Sequence, residues 1–318
     1  MNVMLLRPGA MRLVLAALVV ATHFGYLSRL PVRLDGPAVF GFFFLSGYWV
    51  SRLWDCKYSR CENKATIFWV SRFVRIFPLA ILSILLMFAL IGGPWSRLAS
   101  DLLIIGSGED HLNPPLWSLA VELQFYLLAP LLFLLMKHHI WGGILFIAGL
   151  LCWCLFAARL VGPHLPQFLV FFVCGIAYAN WPRPRLVARL APIGLLFIVA
   201  VAYSPIPQRV DSRWTVGILA IGLLPSIAAT LSRESSNFDR FLGDMAYPIY
   251  LFHWPALVAA SMLGGNKHLV ALVLTALIST AAYFTVDRPL ERWRRLMVEA
   301  KITASRIRQS PVVFRSSA

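Results

Sequence analysis

Charged residues are scarce in this sequence, and acidic ones are scarcer than basic ones. Only 14% of the 318 residues are charged and 59% are hydrophobic, with 29 Lys and Arg against 14 Asp and Glu. Such a composition excludes an ordinary soluble globular protein. It predicts an all-α, polytopic membrane helix bundle, because a bilayer requires every backbone polar group to pair internally. We find no soluble domain, internal repeat or low-complexity linker between the apolar segments.

Cysteine is also rare, with five residues. Cys56 and Cys61 share a basic loop but lack the second ligand pair that a zinc site needs, so we expect no metal site. The other three lie in apolar segments and are expected to pack as small hydrophobic residues. The net charge of +15 would indicate nucleic-acid binding in a soluble protein. In a membrane protein, basic cytoplasmic loops explain the same charge, so we expect no nucleic-acid partner.

Ten apolar segments have about the length of a membrane span. They are 9–28, 37–54, 76–93, 115–136, 140–158, 165–181, 186–203, 214–231, 241–262 and 268–286. Of the 29 Lys and Arg residues, 22 fall on one side of the membrane and seven on the other. The positive-inside rule therefore predicts a multi-pass protein of the inner (plasma) membrane with both termini cytoplasmic. We assign residues 1–290 to the membrane domain and 291–318 to a basic tail, whose pattern is typical of a helix on anionic headgroups.

The first segment carries two ionisable residues, Arg12 and His23, eleven positions apart. At about 100° and about 1.5 Å per residue they share one stripe of a helix and lie roughly 16 Å apart along its axis. With Arg12 at one membrane surface, His23 is expected near the middle of the bilayer, where a titratable group indicates function. The alternatives are an Arg12 that extends to the headgroups and a neutral His23 hydrogen-bonded to a neighbouring helix.

Polar residues also interrupt later segments. Arg72 and Arg75 are three positions apart and share a helix face, where they either anchor the helix or bind phosphates with their planar donors. Glu122 lies about eight residues inside the fourth segment, and His253 lies about twelve residues inside the ninth. We therefore expect both at the depth of His23, in one polar cavity. The alternative for Glu122 is an ion pair that ties helices together.

The order of these motifs resembles the acyltransferase-3 family, integral-membrane enzymes that move acyl groups onto extracytoplasmic acceptors. The matching residues are Arg12 and His23 with ten residues between them, the FFFLSGY run from Phe42 to Tyr48, Arg72 and Arg75, the WSLxxExxFYLxxP stretch from Trp117 to Pro130, Tyr247, Tyr250, His253 and Trp254, and Asp287 to Pro289 in place of E-R-P. Two positions depart from the pattern. Phe40 stands where many relatives carry Asp before the FF, with Asp35 nearby, and Leu123 replaces a second glutamate.

The resemblance implies an O-acyltransferase, most often an O-acetyltransferase. Its donor would be a cytoplasmic acyl-CoA such as acetyl-CoA, used as a substrate with no tightly bound cofactor, and its acceptor a hydroxyl of a glycan or glycolipid. His23 would be the base or the acylated nucleophile, with Glu122 orienting it. Arg72, Arg75 and Arg12 would hold the donor phosphates. The cavity or acceptor site would be lined by Trp117, Ser118, Tyr126, Tyr250 and His253.

Some members of that family append a soluble extracytoplasmic domain, whereas this chain ends at Ala318. It would therefore acylate its acceptor directly or pass the group to a separate extracytoplasmic transferase or glycan-assembly protein. Two alternatives stay open. One is a transporter or flippase of a glycan or lipid intermediate, which would also carry buried His, Glu and Asp. Many transporters consist of two repeated halves, and this sequence shows no such repeat. The other is transfer of a succinyl or longer acyl group.

Overall fold

The computed structural model describes residues 6–104, 111–158, 164–263 and 265–309. Every regular element in these ranges is helical. The α-helices are α1 (Pro8–His23), α2 (Asp35–Cys56), α3 (Lys64–Ile91), α4 (Trp95–Leu102), α5 (Leu116–Leu135), α6 (His139–Ala157), α7 (Leu165–Asn180), α8 (Pro184–Ala202), α9 (Ile206–Arg209), α10 (Ser212–Thr230), α11 (Asn237–Leu263), α12 (Lys267–Ala282) and α13 (Arg288–Gln309). A short 3₁₀ turn (Tyr58–Arg60) follows α2, and a π-helix (Tyr283–Asp287) joins α12 to α13. The predicted all-α class is confirmed.

Six helices within the described ranges are long and apolar enough to cross a membrane. They are α3, α5, α6, α8, α10 and the continuous helix Lys267–Ser305. The apolar helices α1 and α7 are shorter, at 16 residues each. The chain is therefore a membrane helix bundle, while the count of ten spans and the cytoplasmic termini stay predictions.

Helix α1 ends earlier than predicted, at His23 instead of residue 28. Gly25 adopts a positive φ of 76°, a conformation that costs glycine little. The N–H of Gly25 donates to the Thr22 carbonyl, and that of Tyr26 donates to the Ala21 carbonyl, which is the hydrogen-bond pattern of a Schellman motif. His23 is therefore the last residue of α1 and lies beside a loop, whereas the predicted segment continued for five more residues.

Helix α3 begins at Lys64, twelve residues before the predicted segment 76–93, and its 28 residues span about 42 Å. Arg72 and Arg75 are consequently held inside a regular helix. The predicted segment missed this first part because the two arginines lower its hydropathy. The helix can carry them because both side chains turn towards other helices of the bundle and away from lipid.

Helices α2 and α7 pack closely through two glycines. Gly47 lies against the backbone of Phe172, and Gly175 lies against the backbone of Phe44, so a side chain at either position would overlap the facing helix. Small residues allow such close approach in a membrane bundle. Gly47 therefore serves close packing of α2 on α7, whereas the neighbouring Ser46 turns towards a cavity between the helices.

Helix α13 continues from the π-helix without a break, so the predicted boundary between residues 290 and 291 falls inside it. It packs on the start of α3. The Arg294 Nη1 donates to the Ser71 hydroxyl at 2.7 Å, and the Glu62 N–H donates to the Ser305 hydroxyl at 3.2 Å. One face of the basic tail is therefore engaged by protein.

Candidate active site

A cavity of about 420 Å³ lies between α1, α2, α3, α5, α11 and α13. Its wall is rich in charge, with twice as many basic side chains as carboxylates. The basic residues are Arg12, Lys57, Arg72, Arg75, Arg294 and Arg295, and the acidic ones are Glu122, Asp244 and Glu291. A cleft of one dominant sign walled by apolar helices attracts ligands of the opposite charge. The cavity is therefore suited to an anionic ligand.

Arg72 and Arg75 both reach this cavity from one face of α3, as their spacing predicts. Arg72 is 6% exposed. Its Nη2 donates to the Tyr58 hydroxyl at 3.1 Å, and its buried Nε has no partner. Arg75 Nη1 donates to both carboxylate oxygens of Asp287, at 2.7 and 2.9 Å. Both guanidinium groups therefore lie inside the bundle, which is incompatible with the alternative that they anchor α3 to headgroups.

Arg12 is a cavity cation whose donors are not engaged by the described residues of the protein. Within the part of the chain that the structure describes, its guanidinium makes neither a hydrogen bond nor an ion pair. It lies against Gly243 of α11 and within electrostatic range of Arg75, Asp244 and Glu122. Because a guanidinium carries five N–H donors, Arg12 can bind an anion in the cavity without first breaking a contact in the protein.

Glu122 also faces the cavity, where two hydroxyls bind one of its oxygens. The Ser46 hydroxyl donates to Oε1 at 2.7 Å and the Tyr126 hydroxyl donates to it at 2.5 Å. His23 has different partners on both of its ring nitrogens, described next. The expectation that Glu122 orients His23 is therefore wrong for this structure. Glu122 shares the cavity with Arg12, near the start of α1, whereas His23 is the last residue of that helix.

His23 and His253 form a stacked pair, with His23 Nδ1 2.9 Å from His253 Nε2. The rings are nearly parallel, with their centroids 5.1 Å apart. His253 Nδ1 lies 2.7 Å from the Tyr250 carbonyl oxygen, which can only accept, so this nitrogen carries the proton. His253 is fully buried, which favours its neutral form, and Nε2 is then an acceptor. His23 must donate through Nδ1, which leaves Nε2 as the basic nitrogen of its neutral ring.

Asp35 is the carboxylate beside that nitrogen. Its Oδ2 lies 3.4 Å from His23 Nε2 and 2.7 Å from Nη2 of Arg33. Burial acts to raise the pKa of Asp35, but the contact with His23 and the hydrogen bonds from Arg33 outweigh it and hold that pKa below its ordinary value. An ionised Asp35 stabilises a positive charge on His23. The arrangement of carboxylate, imidazole and second imidazole is suited to general base catalysis.

Asp35 was not among the predicted site residues, although the sequence contains a signal for it. Phe40 replaces the family's aspartate in the second helix, and Asp35 is the carboxylate nearest to it in sequence. In the structure Phe40 is 4% exposed and packs against the rings of Trp153, Phe168 and Phe171. A carboxylate would be poorly placed among those rings, whereas Asp35 reaches His23 from the first turn of α2.

Ser118 and Tyr250 form a part of the cavity wall that adjoins His253, whose ring centroid lies 6.1 Å from that of Tyr250. The two hydroxyl oxygens are 2.7 Å apart, and the Tyr250 hydroxyl also donates to the Pro115 carbonyl at 3.2 Å. His253 follows Tyr250 by one helical turn. The cavity lining includes Tyr250 but neither His23 nor His253, so the histidine pair lies outside the cationic cavity, next to Tyr250.

The predicted site residues thus divide into three groups. Those in the cationic cavity are Arg12, Arg72, Arg75, Ser118, Glu122, Tyr126 and Tyr250. His23 and His253 meet behind its inner wall. Trp117 lies elsewhere, in a second cavity of about 350 Å³ whose wall also includes Phe40, Trp153, Phe168 and Arg213. Gly36, next to Asp35, lines this second cavity as well. The second cavity therefore lies on the Asp35 side of the histidine pair.

Comparison with known proteins identifies the family. The model of an acyltransferase domain matches residues 7–286, from just before α1 to the π-helix. The chain belongs to the acyltransferase-3 family. Acyltransferase MdmB of Streptomyces mycarofaciens is 29% identical over 285 residues, 74% of this chain and 71% of MdmB. O-acetyltransferase OatA of Staphylococcus aureus is 25% identical over 320 residues, covering 79% of this chain and 52% of OatA. No solved structure matches the chain.

Membership of the acyltransferase-3 family confirms the resemblance drawn from the motifs. The chain spans about half the length of OatA, 52% of it. The match to the acyltransferase-3 model stops at residue 286, before α13 begins at Arg288. Four α13 side chains nevertheless line the cationic cavity, namely Glu291, Arg294, Arg295 and Val298. The cavity of this acyltransferase therefore includes residues beyond the part of the chain that the family model describes.

Proposed function

We propose that this membrane acyltransferase is an acyl-CoA-dependent O-acyltransferase, with an acetyl group as the simplest cargo and a glycan or glycolipid hydroxyl as acceptor. The observation that carries the proposal is a cationic cavity whose inner wall adjoins a base-competent histidine pair. The acyltransferase-3 membership and the names of two relatives, acyltransferase MdmB and O-acetyltransferase OatA, support it. The protein would act as a multi-pass protein of the inner membrane with both termini cytoplasmic.

The donor would enter the cationic cavity with its phosphates on Arg12, Arg72 and Arg75. Arg12 offers all of its donors, and Arg72 offers an unpaired Nε. Hydrogen bonds between guanidinium and phosphate are charge-assisted and frequently bidentate. Glu122 would balance the charge of Arg12 and hold the hydroxyls of Ser46 and Tyr126 in place. The acyl thioester would then point to the inner wall, at Ser118 and Tyr250.

His23 would perform the chemical step with Nε2. It would take the proton of the acceptor hydroxyl as the oxygen attacks the thioester carbonyl, and Asp35 would stabilise the imidazolium that results. The carbon–sulfur bond then breaks, and the proton passes from His23 to the leaving thiolate of CoA. In the alternative route, Nε2 itself attacks the thioester carbonyl, the carbon–sulfur bond breaks and CoA departs as the thiolate; the acceptor hydroxyl then attacks the acyl-histidine, and its proton passes through the freed imidazole to that thiolate. His253 would hold His23 in the required tautomer in both routes.

The acceptor would approach from the extracytoplasmic side, beside Asp35 and the aromatic second cavity. Aromatic rings such as Trp117 and Trp153 offer faces on which a sugar ring can pack. The acceptor hydroxyl and the thioester would meet at His23, with the thioester passing between the Ser118 and Tyr250 side chains to reach it. A separate extracytoplasmic transferase or glycan-assembly protein would be needed only if the acylated product is an intermediate.

The proposal is tested with the detergent-purified protein and acetyl-CoA carrying a radiolabelled acetyl group. We expect saturable binding, slow release of free CoA without acceptor, and faster release when envelope glycans are added. Succinyl-CoA and longer acyl-CoA, supplied as competitors, measure donor selectivity. A folded wild-type protein that neither binds nor cleaves any acyl-CoA would refute the proposal and favour a transporter.

A further inference from the structure

Helix α13 carries a preorganised pair of arginines at the rim of the cationic cavity. Glu291 accepts from Arg294 through Nε at 2.8 Å and Nη2 at 2.6 Å. It also accepts from Nε of Arg295 at 2.7 Å. One carboxylate therefore fixes two guanidinium groups, three and four residues along the same helix. Such spacing is the usual geometry of ion pairs on a helix surface.

Arg294 links this helix to the donor-binding arginines of α3. Its Nη1 donates to the Ser71 hydroxyl at 2.7 Å, and the Ser71 and Tyr58 hydroxyls are 2.7 Å apart. The Tyr58 hydroxyl in turn accepts from Arg72. This chain of contacts holds α13 in register with α3 at the cavity wall. The Arg294 side chain is 13% exposed, so its role in the contact is largely structural.

Arg295 differs from Arg294 because its side chain is more exposed and two of its guanidinium nitrogens remain available to a ligand. Its side chain is 58% exposed, and among the described residues its Nη1 and Nη2 have no hydrogen-bond partner. The Lys57 ammonium also lines the cavity and makes no ion pair within the described ranges. The two cations thus stand at the cavity rim with free donors, at the end opposite to Ser118 and Tyr250.

We propose that Arg295 and Lys57 bind the ribose 3′-phosphate of the CoA donor, which makes α13 part of the donor site. The inference rests on the proposed function. CoA carries its thioester at one end and its ribose phosphate at the other. With the thioester directed to the inner wall near His23, the ribose phosphate is the group that remains at the rim. Arg295, whose Nη1 and Nη2 remain available while Glu291 holds its Nε, and Lys57 at the end of α2 together fit a dianionic phosphate.

The test compares CoA with 3′-dephospho-CoA as ligands of the detergent-purified, full-length protein, by titration calorimetry. We expect Arg295→Gln to weaken CoA binding about tenfold and to change 3′-dephospho-CoA binding by less than about twofold. Arg295→Lys keeps the charge and should retain most of the preference for CoA. Arg292→Gln is the matched control, because Arg292 is exposed on the same helix and does not line the cavity.

The outcomes separate the inference from the proposed function. If the wild-type protein binds CoA, and Arg295→Gln changes the affinities for CoA and 3′-dephospho-CoA equally or changes neither, α13 does not recognise the 3′-phosphate. That result refutes the inference and leaves the proposed function standing. If Arg292→Gln weakens CoA binding as much as Arg295→Gln does, the loss reflects the overall positive charge of α13. That result also refutes the inference. A wild-type protein that binds neither ligand refutes the proposed function and, with it, this inference. Lys57→Gln should reproduce the selective loss seen with Arg295→Gln.

Discussion

Asp35 provides the sharpest test of the histidine site, because its carboxylate faces the basic nitrogen of His23 at 3.4 Å. The change Asp35→Asn removes the charge and keeps the shape. The asparagine oxygen can still accept a hydrogen bond from a protonated His23. The variant should therefore fold, bind the donor and lose the electrostatic stabilisation of the imidazolium that forms during transfer.

The size of the loss follows from the distance and the exposure. At 3.4 Å, two unit charges attract by about 5 kcal/mol at an effective dielectric of about 20 and by about 1 kcal/mol in bulk water. The two side chains are 19% and 18% exposed, and Arg33 shares the carboxylate. A value between these limits, about 2–3 kcal/mol, corresponds to roughly 30- to 150-fold in rate.

The measurement is acyl transfer per mole of folded protein, together with acyl-CoA affinity and the melting temperature. We expect a fall in kcat with nearly unchanged donor affinity. Arg33→Gln is the control, since this partner of Asp35 is 69% exposed and contributes little; its loss should stay within about threefold. Wild-type turnover in a folded Asp35→Asn protein, or an equal loss in Arg33→Gln, would refute the reasoning.

Three further predictions concern the chemistry, the donor site and the topology. His23→Ala should reduce acyl transfer by about 10²–10⁴-fold with donor binding retained, and unchanged turnover of folded protein would end the catalytic assignment. Arg12→Gln should weaken acyl-CoA binding about tenfold or more at an unchanged melting temperature. Arg75→Ala should lower both the acyl-CoA affinity and the melting temperature, because it leaves Asp287 unpaired. Titrations and thermal melts that show no change in either variant would contradict this. Reporter fusions after Ala318 and within loop 263–267 should be active on opposite sides of the membrane, with the C-terminal fusion cytoplasmic, and the reverse result would exclude the ten-span topology.

Some properties of this protein follow from the sequence alone. Its all-helical membrane class follows from composition, because the bilayer leaves few ways to pair the backbone. Helix positions were predicted to within a few residues for most segments, since hydropathy is a local property of the chain. The ordered motifs, from Arg12 and His23 to Asp287, sufficed to predict the family that the comparison confirms. The shared face of Arg72 and Arg75 followed from their spacing.

Other properties were decided only by tertiary structure. The sequence pattern paired His23 with Glu122, but the Schellman end at Gly25 stops α1 early, and the following loop brings Asp35 to His23 instead. Asp287 reaches Arg75 across 212 positions, through the π-helix that joins α12 to α13. The physical reason is common to both cases. Hydropathy and periodicity report on one helix at a time, whereas the rotation and depth of each helix depend on where it ends and on the neighbours against which it packs.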